Sequence, residues 1–185
     1  MAGLLLFVGS VVCVLGIIVA EALYPGYSTS EDYISDLGVG PSALVFNSSV
    51  FLLGVMVVCS AYFVQKTFNF KHLSLVAAMA GVGAMGVGLF TEDSGGLHVA
   101  FSLTAFLFGG IAPIVSSKVG KPPFSYLSVV LGGMSLVALV LFALRLHLGL
   151  GVGGMERMIA YPDLLWAIGF GGQLMGGSEG VGARS

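Results

Sequence analysis

Apolar runs recur along the chain at about 3–23, 43–64, 73–90, 97–116, 125–147 and 157–175, and short stretches rich in glycine, proline and polar residues separate them. Each run approaches the ~20 residues that carry a helix across a ~30 Å hydrocarbon core. Backbone groups left unpaired in hydrocarbon are costly, so runs of this kind form helices rather than open strands. The pattern predicts an all-α polytopic membrane protein, a six-transmembrane-helix bundle making one domain over 1–176. A flexible tail is expected over 177–185, and no repeat beyond the helices is visible.

The longest link, Tyr24 to Gly40, carries signals of its own. Ser28-Thr29-Ser30-Glu31 matches a capping box, with Ser28 as N-cap and Glu31 reaching back. Tyr33, Ile34 and Leu37 follow as an apolar stripe, and Gly38 is a natural stop. The expectation is a short surface helix over about 29–37, lying as a lid on the outer end of the bundle. Pro41 and Ser42 then open the second span. Asn47-Ser48-Ser49 matches a glycosylation sequon, but inside a span the match is accidental.

Composition agrees with the pattern. Apolar types make up 57% of the 185 residues and charged ones 9%, with a mean hydropathy of +1.03. Soluble domains carry about 25% charged residues, so a soluble globule, a disordered chain and a nucleic-acid binder are excluded. Six spans leave no room for a soluble domain. Cys13 and Cys59 fall within apolar runs and read as small buried hydrophobes rather than a disulfide framework. The first run lacks a basic leader and an A-x-A cleavage site, so it is expected to be retained.

Net charge is only −2, but its distribution orients the chain. Lys66, Lys71, Lys118, Lys121 and Arg184 fall on one side, against Arg145 and Arg157 on the other. The excess of positive charge predicts that both termini are cytoplasmic, in a multi-pass protein of the cell membrane. Eight acids, Glu21, Glu31, Asp32, Asp36, Glu92, Asp93, Glu156 and Asp163, gather on or near the outer side, and only Glu179 lies inside.

Stripes of small residues mark faces where membrane helices approach closely. They run through Gly9, Cys13, Gly16 and Ala20; through Ala43, Asn47, Gly54 and Ala61; and through Ala77, Ala80, Gly81, Ala84 and Gly88. Two more comprise His98, Ser102, Ala105, Gly109 and Ala112, and Glu156, Ala160, Asp163 and Ala167. Asn47, His98 and Asp163 each sit toward the outer end of such a stripe, Asp163 only one or two turns below the interface. The expectation is that they line one cavity, roofed by the segment carrying Asp36 and walled by Glu21 or Arg157. As interhelical glue each would contribute only ~0.6 kcal/mol. An ionised Asp at the bilayer centre costs about 2.5–3.5 kcal/mol or more, so Asp163 calls for a partner such as Arg145 or Arg157. Pro162 either kinks the sixth helix or sits in its first turn. Arg145 and His147 cannot both face the bundle, and the sequence does not choose between them. His72, beside Lys71, reads as a solvated boundary residue.

Three segments carry a family resemblance: Glu21-Ala22-Leu23-Tyr24-Pro25-Gly26-Tyr27 running to Ile34-Ser35-Asp36-Leu37-Gly38; Phe46-Asn47-Ser48-Ser49; and Met155-Glu156-Arg157 with Tyr161-Pro162 and Trp166. Together they resemble the archaeal and bacterial membrane proteins of domain of unknown function 998. That resemblance implies six spans over nearly the whole chain and no named activity.

Four functions remain open on this reading. A polar pocket in the outer half, formed by Glu21, Asp36, Asn47, His98, Ser102, Arg157 and Asp163, suits binding of a membrane lipid or small amphiphile. An intramembrane hydrolase or lipid-modifying enzyme would use His98 and Asp163 as catalytic groups, with zinc as a possible metal. Candidate metal ligands are His98, His147 and Asp163. A b-type cytochrome would place haem between His98 and His147. An ion or proton transporter is the fourth, although the inner half has no charges to continue a path. Ser102, one turn from His98, mimics a nucleophile, but serine in a membrane helix usually bonds its own backbone. The glycine-rich stretch Gly149 to Gly154 reads as flexible linker. Substrate, ligand and oligomeric state stay undetermined.

Overall fold

The computed structural model describes residues 1–176, so the tail expected over 177–185 lies outside the described residues. Among the described residues six α-helices form: α1 (Ala2–Leu23), α2 (Ala43–Phe68), α3 (Lys71–Leu89), α4 (Gly96–Ser116), α5 (Phe124–Ala143) and α6 (Gly151–Gly176). Each packs against its chain neighbours and α6 returns to α1, which closes a ring; α4 and α6 also touch across it. Five of the helices, α1 to α5, are long and apolar enough to cross a membrane. In α6, Tyr161, Pro162, Asp163 and Gln173 lower the hydropathy, but this helix is heavily buried by α1, α4 and α5.

The small-residue stripes work by close approach. A Cβ on Gly54 would stand 2.5 Å from the Gly81 carbonyl oxygen, and one on Gly81 would stand 2.8 Å from that of Gly54. The α2 and α3 backbones are therefore in direct contact there, which favours dispersion and excludes larger side chains. Contacts at both ends, Gly3 with Gly171 and Glu21 with Arg157, set α1 and α6 antiparallel over nearly their whole lengths.

Three local expectations are corrected. The fifth helix stops at Ala143, and Arg145 and Leu148 take left-handed backbone conformations. Arg145 and His147 therefore lie in the link after α5, and neither occupies a helix face. The sixth helix begins at Gly151, taking in glycines read as linker and leaving Pro162 well inside it. Finally, the segment 29–37 is no α-helix but a turn at Ser28–Asp32 followed by a 3-10 helix at Ser35–Gly38. The Ser28 hydroxyl does accept the Glu31 N–H at 3.3 Å, as a capping box requires. Asp32, not Glu31, supplies the carboxylate that accepts the Ser28 N–H, at 2.8 Å. The N–H groups of Tyr33 and Ile34, which a helix would use internally, go to the carboxylates of Asp36 at 2.7 Å and Glu156 at 2.5 Å. Side-chain acceptors thus outcompete the helical ladder.

Candidate functional site

At the end of the bundle that carries the first loop, α6 presents two adjacent charged residues that turn in different directions. Arg157 donates through Nη2 to Glu21 Oε1 at 2.6 Å and to the Tyr27 hydroxyl at 2.7 Å. Through Nη1 it donates to the carbonyls of Thr29 at 2.8 Å and Gly153 at 3.1 Å. The Tyr27 hydroxyl donates in turn to the Tyr33 carbonyl at 2.7 Å. Burial raises the Tyr27 phenol to about 12 despite the nearby guanidinium, so it keeps the proton it donates. Glu156, itself buried, holds the Ile34 N–H. From the other side, Asn47 Nδ2 donates to the Gly38 carbonyl at 2.9 Å and Ser42 to that of Leu37 at 2.9 Å. Gly153 lets the loop approach: its N–H donates to the Ser30 carbonyl at 3.0 Å, and a Cβ there would collide with the Asp32 carbonyl.

Beneath this latched loop lies an apolar cavity of about 170 Å³, walled by α1, α2, α3, α4 and α6 and by Ile34 and Ser35 of the loop. It extends from Ile17, Val50 and Glu156 at the loop end to Val64, Leu73 and Phe170 toward the opposite end. Glu156, Ala160, Asp163 and Ala167, which share a helix face in the sequence, all line it. Residues of α5 do not, although Ser135 on that helix donates to Asp163 Oδ2 at 3.0 Å.

The anticipated site residues separate into groups. Asp163 and Ser102 line the cavity, whereas Asn47, His98, Glu21, Asp36 and Arg157 are not among its lining residues. With α6 beginning at Gly151, Asp163 lies in mid-bundle beside Gly109, not one or two turns from the end. At about 1.5 Å per residue, the stretch of α4 from His98 to Gly109 measures roughly 16 Å, too far for His98 and Asp163 to act on one atom. His98 Nδ1 is instead 2.7 Å from the Phe90 carbonyl and ties α4 to the end of α3. Asp163 pairs with Ser135, not with an arginine, because Arg157 is committed to Glu21. Among the described residues no group of three His, Cys, Asp or Glu side chains converges to hold a metal ion. His147, in the link after α5, is not positioned as a helix-borne partner to His98 around a haem. Ser10, Glu92 and Trp166 were not anticipated as site residues. Ser10 and Trp166 line the cavity; Glu92, in the 3-10 turn Glu92–Ser94, bonds to Asp36.

The three segments of the family resemblance thus converge on the latch: Glu21 and Tyr27 with Ile34 to Gly38, Asn47, and Glu156 with Arg157. The model of the family described as "Protein of unknown function (DUF998)" matches residues 7–172. The chain belongs to the DUF998 family. No curated protein and no solved structure matches it. In this DUF998 protein the matched region contains every residue of the latch and nearly all of the cavity wall.

Two outcomes follow from the latch. Arg157→Ala leaves Glu21, the Tyr27 hydroxyl and the Thr29 carbonyl without their donor, and breaking a buried pair on one side costs about 3–5 kcal/mol. Thermal melting should fall accordingly, and chymotrypsin should cut faster at Tyr24, Tyr27 or Tyr33; unchanged cleavage would remove the latch from the account. Glu92, raised to about 7 chiefly by its hydrogen bond to Asp36 and then by burial, loosens the loop as pH rises. A carboxyl with a raised folded pKa gives stability that is full below its unfolded value and lost through the folded one. Hydrogen exchange in 34–38, corrected for intrinsic rate, should therefore increase between pH 6 and pH 8, and Glu92→Gln should flatten that dependence.

Proposed function

We infer that this protein is an integral membrane protein of the cell membrane that binds the hydrocarbon chain of a lipid or small amphiphile inside its helical bundle. The observation that carries the reading is the cavity: a long apolar space with a few polar groups, lined by five helices and by a loop latched through buried charges. Its volume of about 170 Å³ resembles the ~150 Å³ engineered apolar cavity that holds benzene. It suits one slender chain rather than a whole two-chain lipid. A few placed polar groups on an apolar wall are the usual form of a small-molecule site.

The same reading makes α6 a sixth span. Its antiparallel alignment with α1 argues for this, as does its burial, since neighbouring helices shield Asp163 from lipid. Both termini then lie in the cytoplasm, and the latched loop lies on the outer face, in keeping with the lysine distribution.

Filling the cavity tests the binding function. Ala80 faces the space from α3, and Ala80→Phe should abolish copurifying hydrocarbon ligand in native mass spectrometry while the protein still melts cooperatively. Equal ligand in both proteins, or none in the parent, would overturn the function. For the orientation, cysteines placed at exposed Asp93 and Lys118 in a background lacking Cys59 should label from outside and inside respectively. The reverse pattern would overturn it.

A further inference from the structure

Within the cavity wall, one polar atom on each of two residues at the same depth lacks a hydrogen-bond partner. Asp163 Oδ2 accepts the Ser135 hydroxyl, but its Oδ1 is buried without a hydrogen bond. On α1, Ser10 is fully buried and its Oγ is likewise unpartnered. Equal helical rises from the Gly3–Gly171 contact bring Ser10 level with Leu164, the neighbour of Asp163. Both residues line the same cavity. A buried polar atom left unpaired is costly, and more so where it is charged.

The charges around them are one-sided. Among the described residues no Lys, Arg or His lines the cavity. Its other carboxylate, Glu156, lies at the loop end and is engaged by the Ile34 N–H. Arg157 is held by Glu21, Tyr27 and two carbonyls. Helix α5, packed behind Asp163, offers the Ser135 hydroxyl and no cation at that level. The cavity therefore presents a carboxyl and a hydroxyl as acceptors, in an apolar surround, with no counter-ion from the protein.

The geometry points to a hydrophobic amine as the ligand: a single-chain amphiphile whose ammonium docks in mid-bundle between Asp163 Oδ1 and Ser10 Oγ, with its chain along the apolar wall. This rests on the function proposed above and adds the ligand's charge and the position of its head. An ammonium carries three donors and no acceptor, which suits two unpartnered acceptors on one cavity wall. A carboxylate head would set a second acid against Asp163, and a neutral alcohol would bring one donor and no positive charge to it. The available volume suits a chain of about six to eight carbons.

Trp166, the single tryptophan of the chain, lines the cavity one turn from Asp163 and reports its occupancy by fluorescence. The full chain in detergent micelles at pH 7 is titrated with octylamine, octanol and octanoate, with Ala80→Phe as the control for micelle partitioning. Octylamine should change Trp166 emission saturably, octanol should need about ten-fold more, and octanoate should have no effect. Asp163→Asn should raise the octylamine half-saturation at least about ten-fold and leave octanol unchanged, and Asp163→Glu should restore part of the loss. If octanol binds as well as octylamine, or Asp163→Asn leaves octylamine unaffected, the amine assignment fails while the chain-binding function stands. If no probe gives a saturable change that Ala80→Phe removes, both fail. Should Asp163→Asn not fold, the ranking of the three head groups on the parent protein decides the assignment by itself.

Discussion

The architecture at the loop end of this bundle depends on one buried guanidinium. Arg157 sits on α6 in an apolar setting where an uncompensated charge would cost several kcal/mol, and its surroundings are arranged to avoid that cost. Glu21 on α1 supplies the counter-charge, and Tyr27 and Thr29 in the first loop supply oxygen acceptors. Three separate stretches of chain are thereby fixed relative to one another. Lysine could not replace this residue, since the planar fork serves four acceptors in different directions.

Because the acceptors come partly from the loop, satisfying the charge also shapes the cover of the bundle. The loop gives up α-helical hydrogen bonding, and its N–H groups turn to Asp32, Asp36 and Glu156. Ile34 and Leu37 are pressed inward and buried as a result. Glu156 contacts the loop backbone and also lines the cavity, so the cover and the interior share one side chain. A change in loop position is therefore felt at the cavity through direct contact, without a longer path.

The interior follows from a different constraint. Glycines bring α2 against α3 and α1 against α6 at backbone distance, while α4 and α6 meet across the ring. Five helices then wall a space that their small residues leave unfilled, with α5 packed outside it against α4 and α6. The result is a bundle that is tight at its seams and open along its axis. Asp163 is tolerated on that axis because α5 contributes Ser135 from behind and neighbouring helices separate it from lipid.

Much of this was legible in the order of residues. The number and approximate limits of the helices follow from hydropathy, and the faces that meet follow from small residues repeating at helical spacing, since both are properties of a helix in isolation. The placement of Glu156, Ala160, Asp163 and Ala167 on one surface was readable for the same reason. Depth was not. His98 and Asp163 seemed to lie together until the true start of α6 moved Asp163 to mid-bundle, and a glycine-rich start carries little apolar signal to mark that boundary. Nor was partner choice legible: Arg157 with Glu21, Asp163 with Ser135 and Asp36 with Glu92 are pairings between residues distant in the chain. The sequence by itself determined which segments are helical and which surfaces they bury, because local hydrogen bonding and hydrophobicity decide both. Only the tertiary structure decided which polar groups meet, because that depends on the relative height and rotation of whole helices, and a shift of one turn exchanges every partner.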